Sequence, residues 1–288
     1  MIAVWFRNDI RLDDNPAFYH ALQQAMEQQR PLIALFVATP QQWQAHDRSA
    51  IQVEFLKRHI QLLEQQLSRF HIPLRVSVSP TFSIQVEALS DICRELDITD
   101  LFVNHELEIN EVERDKALAS QLDKSDTQYW QFEADVIAPK GQVLTKQGEM
   151  FKVFTPFKRE WLNQMQLSLP RLASSHQALQ AYGKSGLKAT LPGTHTQAYD
   201  WHYEPVDSTQ AQLKHWPLVD GYRDRLKQFI ASDITNYALA RDIPSLDSTS
   251  SLSPYLAIGA ISPKRVFHDV VQQCPSLLES QSDSHFPW

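Results

Sequence analysis

Seven glycines in 288 residues, no two of them separated by a single position, leave no room for a G-x-G-x-x-G turn. That excludes the fingerprint of a nicotinamide-type dinucleotide site. The two cysteines, Cys93 and Cys274, lie far apart and outside any C-x-x-C pair, so neither a disulfide framework nor a zinc site is indicated and no metal is expected. No apolar run approaches the roughly 20 residues of a membrane helix, and no membrane partner is expected. H-E-x-x-H, the P-loop and G-x-S-x-G are all missing, which removes common metalloprotease, nucleotide-hydrolase and esterase signatures. Excess positive charge is missing too. A formal net charge of -7 argues against wrapping nucleic acid over the whole surface, while leaving room for a local basic patch. With 43% hydrophobic and 21% charged residues the chain reads as an ordinary globular protein rather than a disordered one. It runs almost at once into a strand pattern, so no leader is expected; the reading is a cytoplasmic monomer.

What is present begins with Val4-Trp5-Phe6-Arg7-Asn8-Asp9-Ile10-Arg11-Leu12-Asp13-Asp14-Asn15-Pro16. An apolar strand gives way to a loop with two arginines and three aspartates, too polar for a simple connection. Asn15-Pro16 then opens a helix, with a capping side chain followed by proline at the first helical position. Residues 2–6 and 31–38 are continuous apolar runs, as expected of strands buried on both faces. Weaker strands are expected at 74–78, 101–103 and 129–132. Between them, Ile51, Phe55, Ile60, Leu63, Leu67 and Phe70, then Ile84, Ala88, Leu89, Ile92, Cys93 and Leu96, recur near the helical period. Residues 1–135 therefore read as an α/β domain, a five-stranded parallel, doubly wound, Rossmann-like sheet. Such sheets bind ligands outside the carboxyl ends of their strands.

Residues 136–207 break this pattern. Pro139-Lys140-Gly141, Lys184-Ser185-Gly186 and Leu191-Pro192-Gly193 are turn material, and 152–161 is an aromatic island with a helix start. The segment reads as a long connector wrapping the first domain. From 208 the character is helical, over 208–231 and again over 262–273 after Ser262-Pro263. Trp5, Trp130 and Trp161 stand in apolar contexts and read as core.

Two clusters can carry chemistry. Thr249-Ser250-Ser251-Leu252-Ser253-Pro254 places hydroxyls directly before a helix start, an arrangement suited to a phosphate. The same residues also fit a serine-rich capped loop that binds nothing, which is the commoner case. Asn104-His105-Glu106-Leu107-Glu108-Ile109-Asn110-Glu111 lies at the carboxyl end of the fourth strand. It reads either as a polar loop with Asn110 as helix cap and Glu111 favoured by the helix dipole, or as part of a ligand site.

The opening segment resembles the W-F-R-x-D-L-R-L-x-D-N signature of the DNA photolyase/cryptochrome family, and further family-like segments follow in the family's order. Tyr237 and Arg241-Asp242-Ile243-Pro244, then Thr249-Ser250-Ser251-Leu252-Ser253, match two segments that line the family's flavin cradle. The stretch Tyr255–Pro263 fits L-x-x-G-x-I-S-P. The resemblance implies that Tyr237, Thr249, Ser250, Ser251, Leu252 and Ser253 bind FAD, with Ser251 standing where relatives commonly carry a basic residue. It implies that Arg241 contacts the DNA backbone. Thr39-Pro40-Gln41-Gln42-Trp43-Gln44-Ala45-His46 matches T-P-x-x-W-x-x-H, so His46, Asn110 and Glu111 are expected to hold a folate antenna, 5,10-methenyltetrahydrofolate, as in bacterial relatives.

The implied activity is that of a deoxyribodipyrimidine photo-lyase. It is a light-driven, FAD-dependent electron transfer that splits cyclobutane pyrimidine dimers in damaged DNA, the cofactor supplying the hard step. The damaged nucleotides would first be turned out of the duplex. The segment W-x-N-E-x-x-W-R-E-F is not found; residues 281–288 resemble the approach to it. The sequence thus reads as a fragment ending part-way through a helical FAD-binding domain that begins near 208, with the catalytic residues expected beyond Trp288. Two other readings remain open: a cryptochrome-like blue-light photoreceptor, and a non-enzymatic binding module made of the α/β domain.

Overall fold

A computed structural model of the protein describes residues 1–191, 199–201, 203, 216–218, 222–234, 236–275 and 278. Its centre is a five-stranded, all-parallel sheet of β1 (Ile2–Phe6), β2 (Leu32–Ala38), β3 (Leu74–Val78), β4 (Asp100–Asn104) and β5 (Gln128–Phe132), in the order β3-β2-β1-β4-β5. The helices α1 (Pro16–Gln28), α2 (Pro40–Ala45), α3 (Ala50–Ser68), α4 (Phe82–Glu95) and α5 (Ile109–Leu122) fall between successive strands. The doubly wound α/β expectation holds, and the order of strands reverses between β1 and β4.

The period of two along each strand sorts the side chains into two cores. Ile2, Val4 and Phe6 of β1, Leu32, Ala34 and Phe36 of β2, and Phe102 of β4 face α1 and α3. Ala3, Trp5, Ile33, Leu35, Val37, Leu101 and Val103 face α4 and α5. Both faces are covered, which is why β1, β2 and β4 are apolar throughout. Asn15 caps α1 by accepting from the Phe18 amide at 3.0 Å, with Pro16 at the first helical position. Ser49 and Gln52 form a reciprocal capping box on α3.

Sequence reasoning misplaced Trp130. It lies on the edge strand β5 and is 43% exposed, its indole donating to Asp100 at 3.0 Å. The pattern there is short, and β5 is an edge strand, paired on one side with β4. Trp5 is fully buried, as expected, and Trp161 is half-buried against Phe267.

Among its described residues the connector holds two helices, α6 (Phe154–Leu167) and α7 (His176–Lys184), the first growing from the aromatic island. Beyond it the described residues form α8 (Tyr222–Ser232), α9 (Tyr237–Ala240), α10 (Ser253–Ala257) and α11 (Pro263–Gln273). Much of the helix expected over 208–231 lies outside the described residues, as do 281–288; residues 216–218 are described and are not helical. Tyr182, Tyr222, Leu226, Ile230, Tyr255, Ile258, Ile261 and Val270 belong to the same apolar cluster as β1, α1 and α3. A smaller cluster joins Met165 of α6 to Phe267 and Val271 of α11.

Candidate functional site

The charged loop after β1 is a fastening. Arg7 is buried and reaches across to α5, donating to both Asp115 carboxylate oxygens at 2.7 and 2.8 Å and to the Asn104 carbonyl. Arg114 donates to Glu106 at 2.6 Å and to Asp115 at 2.7 Å, and Asn8 donates to Glu106 at 2.7 Å. Both guanidiniums lie against the Trp5 ring, Arg7 at 4.7 Å and Arg114 at 4.8 Å from its centre. Burial pushes the Glu106 carboxyl up, but Arg7 and Arg114 outweigh it and hold the group below the usual carboxylate range. Asp9 accepts from the Arg7 amide at 2.6 Å and from Asn104 at 2.6 Å, closing the loop on itself.

The rest of the loop is tied to the far end of the chain. Ile10 donates to the Ile258 carbonyl at 3.2 Å, and Arg11 to the Gly259 carbonyl at 3.0 Å. Asp13 pairs with Arg265 at 2.9 Å, and Asp14 accepts from Ser262. Gly259 has φ +63°, and a Cβ there would stand 1.9 Å from the Asn8 carbonyl oxygen. Only glycine lets these two backbones touch.

Where the strand order reverses, a cavity of about 330 Å³ opens beyond the carboxyl ends of β1, β2 and β4, the place such sheets bind ligands. Trp43, His46, Arg48, Gln85, Glu106 and Glu111 are among its lining residues. The expected residues His46 and Glu111 are thus brought to one wall. Asn110 is exposed and is not among the lining residues, and it does not cap α5, which starts one residue earlier behind Glu108. Burial pushes Glu111 up, with Glu106 adding to it, while burial pushes Arg48 down. His46 meets Gln42 at 2.9 Å across one turn of α2. Sequence reasoning missed Arg48 and two aromatic contacts made beside it. Trp201 meets Trp43 edge-on at 5.4 Å, and Tyr203 donates to the Arg48 carbonyl at 2.7 Å. Neither contact leaves a local signal, because the partners are more than 150 residues apart in the chain.

The hydroxyl-rich loop lies in the helical part. Thr249 and Ser253 are exposed, Ser250 and Ser251 half-buried, and Leu252 sits in the main core at 3% exposure. None of these hydroxyls makes a hydrogen bond within the described residues, and α10 has no side-chain cap. The neighbouring Ser248 Oγ is buried without a partner. Ser251 has φ +52°, an uncommon conformation for a side-chain-bearing residue. Tyr237 packs edge-on against Phe229 at 5.6 Å, and the exposed Arg241 guanidinium lies 5.7 Å from the Tyr237 ring, with Asp242 at 3.6 Å. Among the described residues no group of acidic, histidine or cysteine side chains is arranged to hold a metal, and no helix is long and apolar enough to cross a membrane.

The family profile described as DNA photolyase matches residues 2–176. The deoxyribodipyrimidine photo-lyase of Vibrio cholerae is 35% identical over 275 residues, covering 93% of this chain and 55% of that protein. The chain spans about half the length of the curated relatives it matches. The fold is shared with the class III photolyase of Agrobacterium tumefaciens (TM-score 0.68, 23% identity, 93% of this chain and 52% of that one). It is shared too with the archaeal photolyase of Sulfolobus tokodaii, solved with two FAD molecules (TM-score 0.62, 18% identity, 97% of this chain and 57% of that one).

Proposed function

The chain belongs to the DNA photolyase family, and from that premise we propose that it carries the antenna domain and the beginning of the flavin domain of a deoxyribodipyrimidine photo-lyase, divided near residues 135 and 207. The observation that carries the proposal is the loop Thr249–Ser253, whose hydroxyls have no partner within the described residues beside the orphaned Ser248 Oγ. Unspent donors gathered in one loop fit a pyrophosphate, the anionic part of FAD. Thr249, Ser250, Ser251 and Ser253 would donate to it. Leu252, held in the core, would fix the loop from below, and Tyr237 would flank the cofactor. Bound FAD would supply the light-driven electron transfer that splits a cyclobutane pyrimidine dimer. Arg241, exposed beside Tyr237, would meet a phosphate of the damaged strand.

The cavity at the strand-order reversal supports an antenna site. Glu111, its pKa raised by burial, and His46 would bind the polar edge of a folate there, and Asn110, outside the cavity at the start of α5, would contact the part of the ligand that projects from it. The assignment of 5,10-methenyltetrahydrofolate rests on the matching Thr39–His46 and Asn110-Glu111 segments.

The test is the absorption spectrum of the purified protein, followed by illumination with an oligonucleotide carrying a thymine dimer. Flavin bands are expected, and Thr249→Ala combined with Ser253→Ala should lower flavin content several-fold, each lost hydrogen bond to a charged group contributing about 1.5–3 kcal/mol. Undiminished flavin in the double variant would remove the phosphate role of the loop. Flavin retention with no repair under blue light would leave the chain a cofactor binder without the lyase activity.

A further inference from the structure

A second cavity, of about 520 Å³, opens between residues 137–142, the end of α6, the turn after it and the start of α11. Its walls are largely apolar, with Ile137, Met165, Leu169 and Pro170 among them. Lys264 also lines it and is only 8% exposed. Among the described residues the Lys264 ammonium has no ion pair and no hydrogen bond, and no carboxylate lines the cavity. Acids around this part of the fold are engaged elsewhere: Asp13 with Arg265, Asp14 with Ser262 and the Ala173 amide, Glu160 with the Gln164 amide and Glu133 with the Lys140 amide. Lys264 also sits in the first turn of α11, the positive end of the helix dipole, where a cation is least welcome. In the same wall the Gln164 Oε1 atom is buried without a donor, and Arg171 stands at the edge.

An ammonium held at the wall of a largely apolar cavity, with no carboxylate opposite it, is placed to meet an anionic group. The cavity is of a size that holds small molecules, with apolar walls and few, convergent polar groups. We propose that it binds an amphipathic organic anion, a carboxylate or phosphate monoester on an apolar ring or chain. The anionic end meets Lys264, the apolar body lies against Met165, Leu169 and Ile137, and an N–H or O–H of the ligand donates to Gln164. The site shares no residue with the flavin loop or the antenna cavity and does not rest on the reading given to either.

The experiment is calorimetric titration of the 288-residue chain with 1-naphthyl phosphate and with neutral 1-naphthol. One saturable site for the phosphate is expected, with the naphthol weaker by about tenfold or more. Lys264→Met should cost about tenfold in affinity for the phosphate, while Lys264→Arg, which keeps the charge, retains binding. Leu169→Trp should abolish binding by filling the cavity with the ammonium in place. Absence of saturable binding to the unaltered chain, equal affinity for the naphthol, or full affinity in folded Lys264→Met would each overturn the proposal. Where Lys264→Met does not fold, Leu169→Trp decides, and retained binding there overturns it.

Discussion

His59 shows how one side chain ties acidity to stability. It is 1% exposed, its Nδ1 lies 2.8 Å from the Phe55 carbonyl, and the Phe55 and Tyr255 rings pack at 4.3 and 5.9 Å. The Nε2 atom has no partner, so a second proton there would meet no acceptor. Burial therefore pushes the imidazole below its ordinary value of 6.5, with only the Phe55 carbonyl opposing. The unfolded chain takes up the proton more readily than the folded one. The His59 contribution is thus complete above about pH 6.5 and is lost as pH falls toward the folded pKa. Asp135, pushed up to about 6 by burial, works in the opposite direction over part of that range. The comparison that isolates His59 is the difference between the chain and its His59→Leu variant in urea melts at pH 7.5 and 5.5. The unaltered chain should lose stability relative to the variant on acidification; a constant difference would mean that the imidazole titrates normally.

At the scale of elements, the ladder from β1 to α5 carries more weight than any pairing at the surface. Arg7→Met leaves Asp115 and Glu106 buried with one cation fewer, and should cost about 3–5 kcal/mol. Arg265→Met breaks a partly exposed pair with Asp13 and should cost about 0–1 kcal/mol. Denaturant midpoints measure both, and similar losses would show that the buried network is not the stronger fastening. Most elements were legible because burial writes a period into sequence. The continuous apolar runs of β1 and β2, the Asn15-Pro16 start of α1 and the helices α3 and α4 appear where read, although Ile84, read on the apolar repeat of α4, is 45% exposed and Phe70 and Leu96 fall just past the helix ends. The role of the charged loop was not legible: its polarity showed only that it is more than a simple connection. Its partners Asp115, Gly259 and Ser262 lie about 100 to 250 residues away in sequence. His46 and Glu111, read as antenna ligands, line one cavity; Asn110, read with them and alternatively as a helix cap, is not among its lining residues, and α5 begins before it at Ile109.

For the molecule as a whole, the decisive fact is that one apolar cluster runs from Ile2 to Val270. Reading residues 1–135 as a separate unit followed from the break in pattern after β5, and no local signal shows that Tyr182, Tyr255 and Ile258 complete the face of the sheet carrying α1 and α3. The helical segments and the sheet should therefore open together, and Gly259 is packed directly against the backbone of the loop after β1. Gly259→Ala places a methyl group against the Asn8 carbonyl and forces a left-handed backbone on a residue with a Cβ, for a loss on the order of 2–4 kcal/mol. Hydrogen exchange distinguishes a shared core from two independent ones. If the core is shared, the amides of β1 and β4 lose protection in the variant by about the same free energy as those of α10 and α11. If the sheet kept its full protection while only the helices opened, the two parts would be separate folding units that merely touch, and the division read from the sequence would also be the physical one.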